Sequence, residues 1–420
     1  VDTLTRGLDR AGLIDWYRAN RSRSASIFAS LTSEAYYEAP IPLRHPFVFY
    51  DGHLPGFSFI VLHRRALGGG PIDAEAEALF QRGIDPADVD SAGRMRRTDW
   101  PARDDVRRLT ERWDGAVIDD LAHAPIDDGS NPLLVDAQAA YTILEHEPMH
   151  HETLLYIVAQ LPAEAKRLLV PEVRDVMPAR RDPVAIPRGI ATLGKRRDAG
   201  FGWDNEFDEH AVDVAAFGID AHDVTNADYR AFVRDGGALP PFWIERDGEL
   251  LLRTTYAEIP LPASWPVYVT HDQATAFAAW SGARLPTEAE YHRAAYGTPA
   301  GDERAFPWGD APADATRGNF DFRRFDPEPI GSSPSGASAF GVHDLIGNGW
   351  EWTATPFGPF AGFAPLPSYP VYSADFFDGK HYVMKGASPV TSHHLVRRSF
   401  RNWFYADYPY MFATFRRVYD

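Results

Sequence analysis

The sequence predicts a multidomain chain: an N-terminal four-helix bundle followed by a C-terminal irregular α+β domain. Three observations carry this. Apolar residues recur at the helical period through residues 1–165. A charged stretch holding four prolines, "AEAKRLLVPEVRDVMPARRDPVAIP", then interrupts the chain and marks residues 166–187 as a linker. From Arg188 onward short apolar runs alternate with Gly, Pro and Asn among many aromatics, as in "FPWGDAP" and "GNGWEWT", so residues 188–420 form the second domain.

Four helices are expected in the first part: Leu4–Ser30, Asp51–Ala66, Arg103–Leu121 and Pro132–Leu161. Asn131-Pro132 supplies the last with a capping side chain followed by a proline in its first turn, where proline is tolerated. Inward-facing side chains of such a bundle can build a site. In the second part the clearest helical patterns are Asn226–Asp235, Asp272–Ser281 and Thr287–Ala295. No internal period signals a repeat array.

Composition removes several function classes. A net charge of −17 opposes nucleic-acid binding, which needs clustered Lys and Arg. No apolar run is long enough to span a bilayer, so no membrane partner is expected. The first twenty residues lack the apolar centre of a signal peptide, and a cytoplasmic location is the expectation. Cysteine is absent, so disulfides, thiolate metal sites and cysteine nucleophiles are excluded, and any metal must be held by nitrogen and oxygen. The composition is compatible with a homo-oligomer.

Ligand-type residues are densest in "EHEPMHHETLLYIV", Glu145 to Val158. On a helix His146 and His150 are four residues and ~40° apart, close enough to share one metal. His151 lies ~100° further round and Glu152 nearly opposite His146, so neither completes the site. The third ligand must come from elsewhere. Of His45, His53 and His63, His45 precedes a proline and is extended, and His63 sits between Leu62 and two arginines. His53, in the first turn of the second expected helix, is the best candidate. Three histidines with open positions suit Fe(II), Zn or Cu by ligand type. "HEPMH" also matches H-E-x-x-H, in which Glu147 would activate water on zinc. Against that hydrolase reading stand the proline inside the motif and the absence of a downstream ligand pattern.

These residues carry a family likeness. "GHLPGF" followed by "HEPMHHE" resembles the iron-binding N-terminal domain of the ergothioneine-type sulfoxide synthases, a DinB-like bundle. "VTNADYRAFV", "RLPTEAEYHRAA", "GNGWEWT" and "RNWFYADYPYMFATFR" resemble the formylglycine-generating-enzyme (sulfatase-modifying factor) fold, which is C-type-lectin-like. Formylglycine-generating enzymes work through cysteines, so their chemistry cannot carry over. Arg284, Glu288, Glu290 and Trp352 in these motifs are expected to be buried fold determinants rather than catalysts.

The resemblance implies an iron(II) enzyme that uses O2 as co-substrate. It joins a sulfur donor to C2 of the imidazole of trimethylhistidine (hercynine) as a sulfoxide. It implies His53, His146 and His150 as iron ligands, and Asn402 and Trp403 as the pair holding hercynine. A tyrosine near the iron serves as proton donor; of Tyr369, Tyr372 and Tyr382, Tyr372 is chosen. Where relatives using a γ-glutamyl-cysteine donor carry an acid and an arginine, this chain has Phe404 and Tyr408. Where the family often has a glutamine contacting the substrate imidazole, it has Met149. The expected donor is therefore free cysteine, with a selenosugar, as in the selenoneine synthase branch, as the alternative. A non-catalytic betaine-binding module is the alternative of another class.

Overall fold

The computed structural model describes residues 9–42, 44–81, 99–178 and 182–420. They divide into two compact units. The first holds the described part of Val1–Leu168 with Ala199–Phe201 and Leu366–Pro370; the second holds the remainder.

The first unit is built from α1 (Arg10–Ala29), α2 (Phe47–Ser58), α3 (Ala74–Phe80), α4 (Arg103–His123) and α5 (Gln138–Gln160). α1 and α4 bury one stripe each: Leu13, Tyr17, Asn20, Ser24 and Ile27 on α1, and Val106, Thr110, Trp113, Val117 and Leu121 on α4. Steps of three and four place such residues on one helix face. α2 and α5 are buried almost all round, as apolar central helices are. Together α1, α2, α4 and α5 form the four-helix bundle, each packing on its neighbours.

Boundaries depart from the sequence expectation in two places, α2 and α5. Residues 4–8 of the first expected helix lie outside the described residues. α2 begins at Phe47, directly after Pro46, and runs on as π-helical turns over Phe59–Ala66, so His53 sits in its second turn rather than its first. α5 begins at Gln138 rather than Pro132, because Asp136 and Ala137 take left-handed backbone angles (φ 52° and 54°) that no α-helix continues through. Asn131 instead closes a local turn, its Oδ1 accepting from the Leu133 N–H at 3.0 Å.

The second unit contains β1 (Val184–Ile186), β2 (Gly189–Leu193), β3 (His210–Val214), β4 (Phe217–Ile219), α6 (Asn226–Arg234), β5 (Trp243–Arg246), β6 (Glu249–Arg253) and β7 (Glu258–Pro260). There follow α7 (His271–Trp280), α8 (Glu288–Tyr296), β8 (Gly349–Pro356), β9 (His381–Ala387), β10 (Asn402–Tyr405), β11 (Ala413–Thr414) and β12 (Val418–Tyr419). The main sheet has the order β10-β9-β8-β11, antiparallel except for β8 with β11. A second sheet, β1-β4-β12, ties the domain's first strand to its last. Each helix of this unit opens on a threonine capping box, Thr225 with Asp228, Thr270 with Gln273 and Thr287 with Glu290.

The charged and aromatic motifs of this domain are consumed by its own structure. Arg284 and Glu290 are partly exposed rather than buried, since they pair near the chain's surface, Arg284 bonding Glu290 through both guanidinium ends at 2.7 and 2.8 Å. Glu288 accepts from Arg401 at 3.0 and 3.1 Å in the interior. Trp352 is fully buried and donates its indole N–H to the Val269 carbonyl at 2.9 Å. Buried charges persist only when paired in this way. No helix of the described residues is long and apolar enough to cross a membrane.

Candidate metal centre

His53 on α2 and His146 and His150 on α5 converge, the last two by their helical spacing. Their ligand nitrogens all lie within 4.8 Å of one another, and all three side chains are buried. Nε2 of His146 and Nε2 of His150 are 3.1 Å apart. Two metal–nitrogen bonds of ~2.1 Å at a right angle place their nitrogens ~3 Å apart, so this pair is spaced as two ligands of one ion. Among the described residues it is the single group of three or more His, Asp or Glu so arranged.

The surroundings fix which atoms face the centre. Nδ1 of His53 donates to the Phe80 carbonyl at 2.7 Å, leaving the Nε2 lone pair for a metal. That contact is why α3 matters: Phe80 ends it, and the Phe80 ring lies over Gly52, where a Cβ would come within 2.4 Å of the ring. Phe57 stacks on His146 with ring centres 3.5 Å apart, and Phe49 stacks on His53 at 4.9 Å. The phenol ring of Tyr369, which belongs to this unit, stands edge-on to both His146 and Phe57 at 6.0 and 5.1 Å.

Burial holds all three imidazoles neutral. It lowers His53 to about 4, against the opposing bond from Phe80. It lowers His146 and His150 well below the ordinary range, with the other histidines of the group adding to the effect. Nε2 of His53 and Nδ1 of His146 and His150 find no protein hydrogen-bond partner. Buried polar atoms left without partners are costly. Three neutral nitrogen donors facing one point fit a divalent transition metal with open positions.

The other candidate residues of the motif are turned elsewhere. His151 Nε2 pairs with Ser24 Oγ on α1 at 2.8 Å. Glu147 is fully buried and accepts from Arg21 at 2.8 Å and from Ser24 at 2.5 Å. Burial, the largest single influence, would raise its pKa, but Arg21, His151 and Ser24 together outweigh it and bring it to about 2. A carboxylate bound to α1 through Oε1 and held this acidic makes a poor general base, which weighs against the H-E-x-x-H hydrolase reading. His63 pairs with Asp120 at 2.9 Å, and His45 stacks on Phe49 at 4.1 Å; neither belongs to the metal group.

Of the residues expected to hold substrate, Met149 is the one partly exposed residue between Thr142 and Ala159 on α5. The others lie in the second unit. Trp403 on β10 stacks flat on Phe357, centres 4.2 Å apart and planes within 4°. Asn402 Oδ1 accepts from the Trp403 backbone N–H at 2.9 Å. Phe404 stacks on Tyr408 at 4.9 Å, and Tyr408 meets Tyr410 edge-on at 5.2 Å. Tyr372, the tyrosine chosen from the sequence, stacks on Trp203 at 4.1 Å and stands edge-on to Trp403 at 5.2 Å. Of the three tyrosines considered, Tyr369 is the one grouped with the histidines. Asn20, Arg21 and Ser24 went unremarked in the sequence; their signal was polar side chains on or beside the buried stripe of α1.

Residues 172–420 match the family described as "Sulfatase-modifying factor enzyme 1-like domain". The hercynine oxygenase of Mycolicibacterium thermoresistibile is 34% identical over 351 residues, covering 75% of this chain and 74% of that protein. The hercynine oxygenase of Mycolicibacterium smegmatis is 36% identical, covering 66% of this chain and 71% of that protein. Ergothioneine biosynthesis protein 1 of Schizosaccharomyces pombe is 30% identical and spans 92% of this chain and 53% of its own length. These spans exceed what the second domain alone could supply, so the likeness reaches into the helical unit that carries the histidines. The chain belongs to the hercynine oxygenase family.

Proposed function

We propose that this protein is an O2-dependent, non-heme iron(II) oxidoreductase that couples cysteine to hercynine. The thiol S–H and the C2–H of the imidazole are replaced by a C–S bond, the sulfur gains one oxygen, and the second oxygen leaves as water with the two hydrogens. The observation that carries the reading is the buried group His53, His146 and His150 with its converging nitrogens, in a chain of this family. The three histidines would hold Fe(II), which supplies O2 activation when bound.

The remaining roles belong to the chain's own residues. The aromatic faces of Trp403 and Phe357 suit a quaternary ammonium such as hercynine's, and Asn402 sets the backbone beside them. Met149 offers a thioether, which makes only a weak acceptor toward an imidazole. We assign the proton-donating role to Tyr369, on the strength of its place beside His146, and give Tyr372 a part in the aromatic wall around Trp403. Aromatic rings near a neutral metal site also exclude water.

A second reading of the donor rests on the Phe404–Tyr408–Tyr410 group. It supplies no charge to clamp an amino-acid donor, and flat rings suit an uncharged sugar face, so a selenosugar is the rival donor. The test loads the protein with Fe(II) without air, adds hercynine with cysteine or a selenosugar, and admits O2. A hercynyl sulfoxide from cysteine is the expected product. Product from the selenosugar alone overturns the cysteine assignment, and no product from either overturns the enzyme reading in favour of a betaine-binding module.

A further inference from the structure

Pro148 stands between the two metal-facing histidines of α5, and proline has no N–H to give. In an uninterrupted helix that N–H is donated to the carbonyl four residues earlier, Leu144. Here α5 runs unbroken through Pro148 as an α-helix. The Leu144 carbonyl instead accepts from Asn20 Nδ2 on α1, at 2.9 Å in the interior. Asn20 occupies a place in the stripe Leu13, Tyr17, Asn20, Ser24, Ile27, where its own helix would gain more from an apolar side chain.

Asn20 does not act alone. Arg21 and Ser24, within one turn of it, grip Glu147 and His151 on the next turn of α5. α1 therefore touches α5 at Leu144, Glu147 and His151, on both sides of His146 and His150. None of these three α1 side chains belongs to the metal group.

We propose that Asn20 is a positioning residue of the metal centre. Its interhelical hydrogen bond replaces the intrahelical one that Pro148 deletes, so the turn presenting His146 and His150 is set by α1 rather than by α5's own ladder. The proposal rests on the metal-site reading above.

The test is a double-mutant cycle on the full chain, with Co(II) as the probe and both its affinity and its visible absorption as readouts. Asn20→Ala removes the donor and is expected to weaken Co(II) binding by ~10–100-fold, the usual effect of losing a supporting hydrogen bond around metal ligands, and to change the absorption spectrum. Pro148→Ala restores an N–H able to reach Leu144. In that background Asn20→Ala is expected to change affinity by less than about threefold, because the carbonyl no longer depends on Asn20. Equal losses in both backgrounds, or a lower melting temperature with unchanged Co(II) affinity and spectrum, overturn the proposal. Asn20→Leu, which refills the space without a donor, replaces the alanine variant if that one fails to fold. A wild-type protein that takes up no Co(II) overturns the metal reading and this proposal with it, whereas intact wild-type binding with no coupling to Pro148 overturns the proposal alone.

Discussion

Replacing Glu147 by glutamine separates this account from metal-assisted hydrolysis. Glu147 has no solvent exposure, and its Oε1 accepts from Arg21 and Ser24. Glutamine keeps an oxygen for both bonds and removes only the charge. Removing one partner of a buried ion pair costs ~3–5 kcal/mol, because the other charge stays buried uncompensated. Arg21 still has Asp114, at 3.0 and 3.2 Å, so the lower end applies, ~3 kcal/mol. With a urea dependence of ~3 kcal/mol per molar, the unfolding midpoint falls by ~1 M. Turnover per folded, metal-loaded molecule should stay within ~10-fold, since the carboxylate is turned toward α1. Urea titration followed by circular dichroism gives the first number, and product formation normalised to bound iron gives the second. An unchanged midpoint with turnover lost by ~10³-fold or more, the mark of a missing general base, would refute the reasoning.

Tyr369→Phe should lower sulfoxide formation by ~10²-fold or more while leaving Fe(II) content intact, and Tyr372→Phe should lower it much less. Chromatographic product analysis of the two variants, with the opposite order of effects, would restore the role to Tyr372. Trp403→Ala should raise the KM for hercynine by ~10-fold with Fe(II) affinity unchanged, through loss of an aromatic face for the ammonium. Acid should destabilise the second domain. Glu206 is buried, and although burial would raise its pKa, Arg397 leads the groups that bring it to about 2. Its folded pKa is below its unfolded one, so its contribution is complete above ~4.5 and fades as pH falls toward 2. Glu206→Gln should flatten that part of the stability-against-pH curve measured by denaturant titration.

The histidine group was legible because its logic is local. His146 and His150 meet by helical spacing alone, and the absence of cysteine and the failure of His151 and Glu152 on azimuth forced a search that ended at His53. What the sequence hid is tertiary. Asn20 reads as an ordinary polar residue until α1 is laid against the turn that Pro148 interrupts. α3 escaped notice because seven residues make under two turns, too few for a periodic pattern, yet Phe80 at its end orients His53. The late start of α5 came from the backbone of Asp136 and Ala137 overriding a sound capping signal at Asn131. The choice among Tyr369, Tyr372 and Tyr382 had no period to decide it, since the first two lie in irregular chain where neighbours in sequence can belong to different packing units. In the second domain the motif residues read as scaffold, and Glu288, Arg284 and Trp352 are occupied as such by Arg401, Glu290 and the Val269 carbonyl.

The most direct test of the central claim is oxygen uptake by the iron(II)-loaded protein, followed with an electrode while hercynine consumption is measured in parallel. With cysteine present, the account predicts one O2 consumed per hercynine, and no uptake by His150→Ala, which also fails to retain iron. Hercynine consumed without O2, or uptake undiminished in His150→Ala, would contradict it.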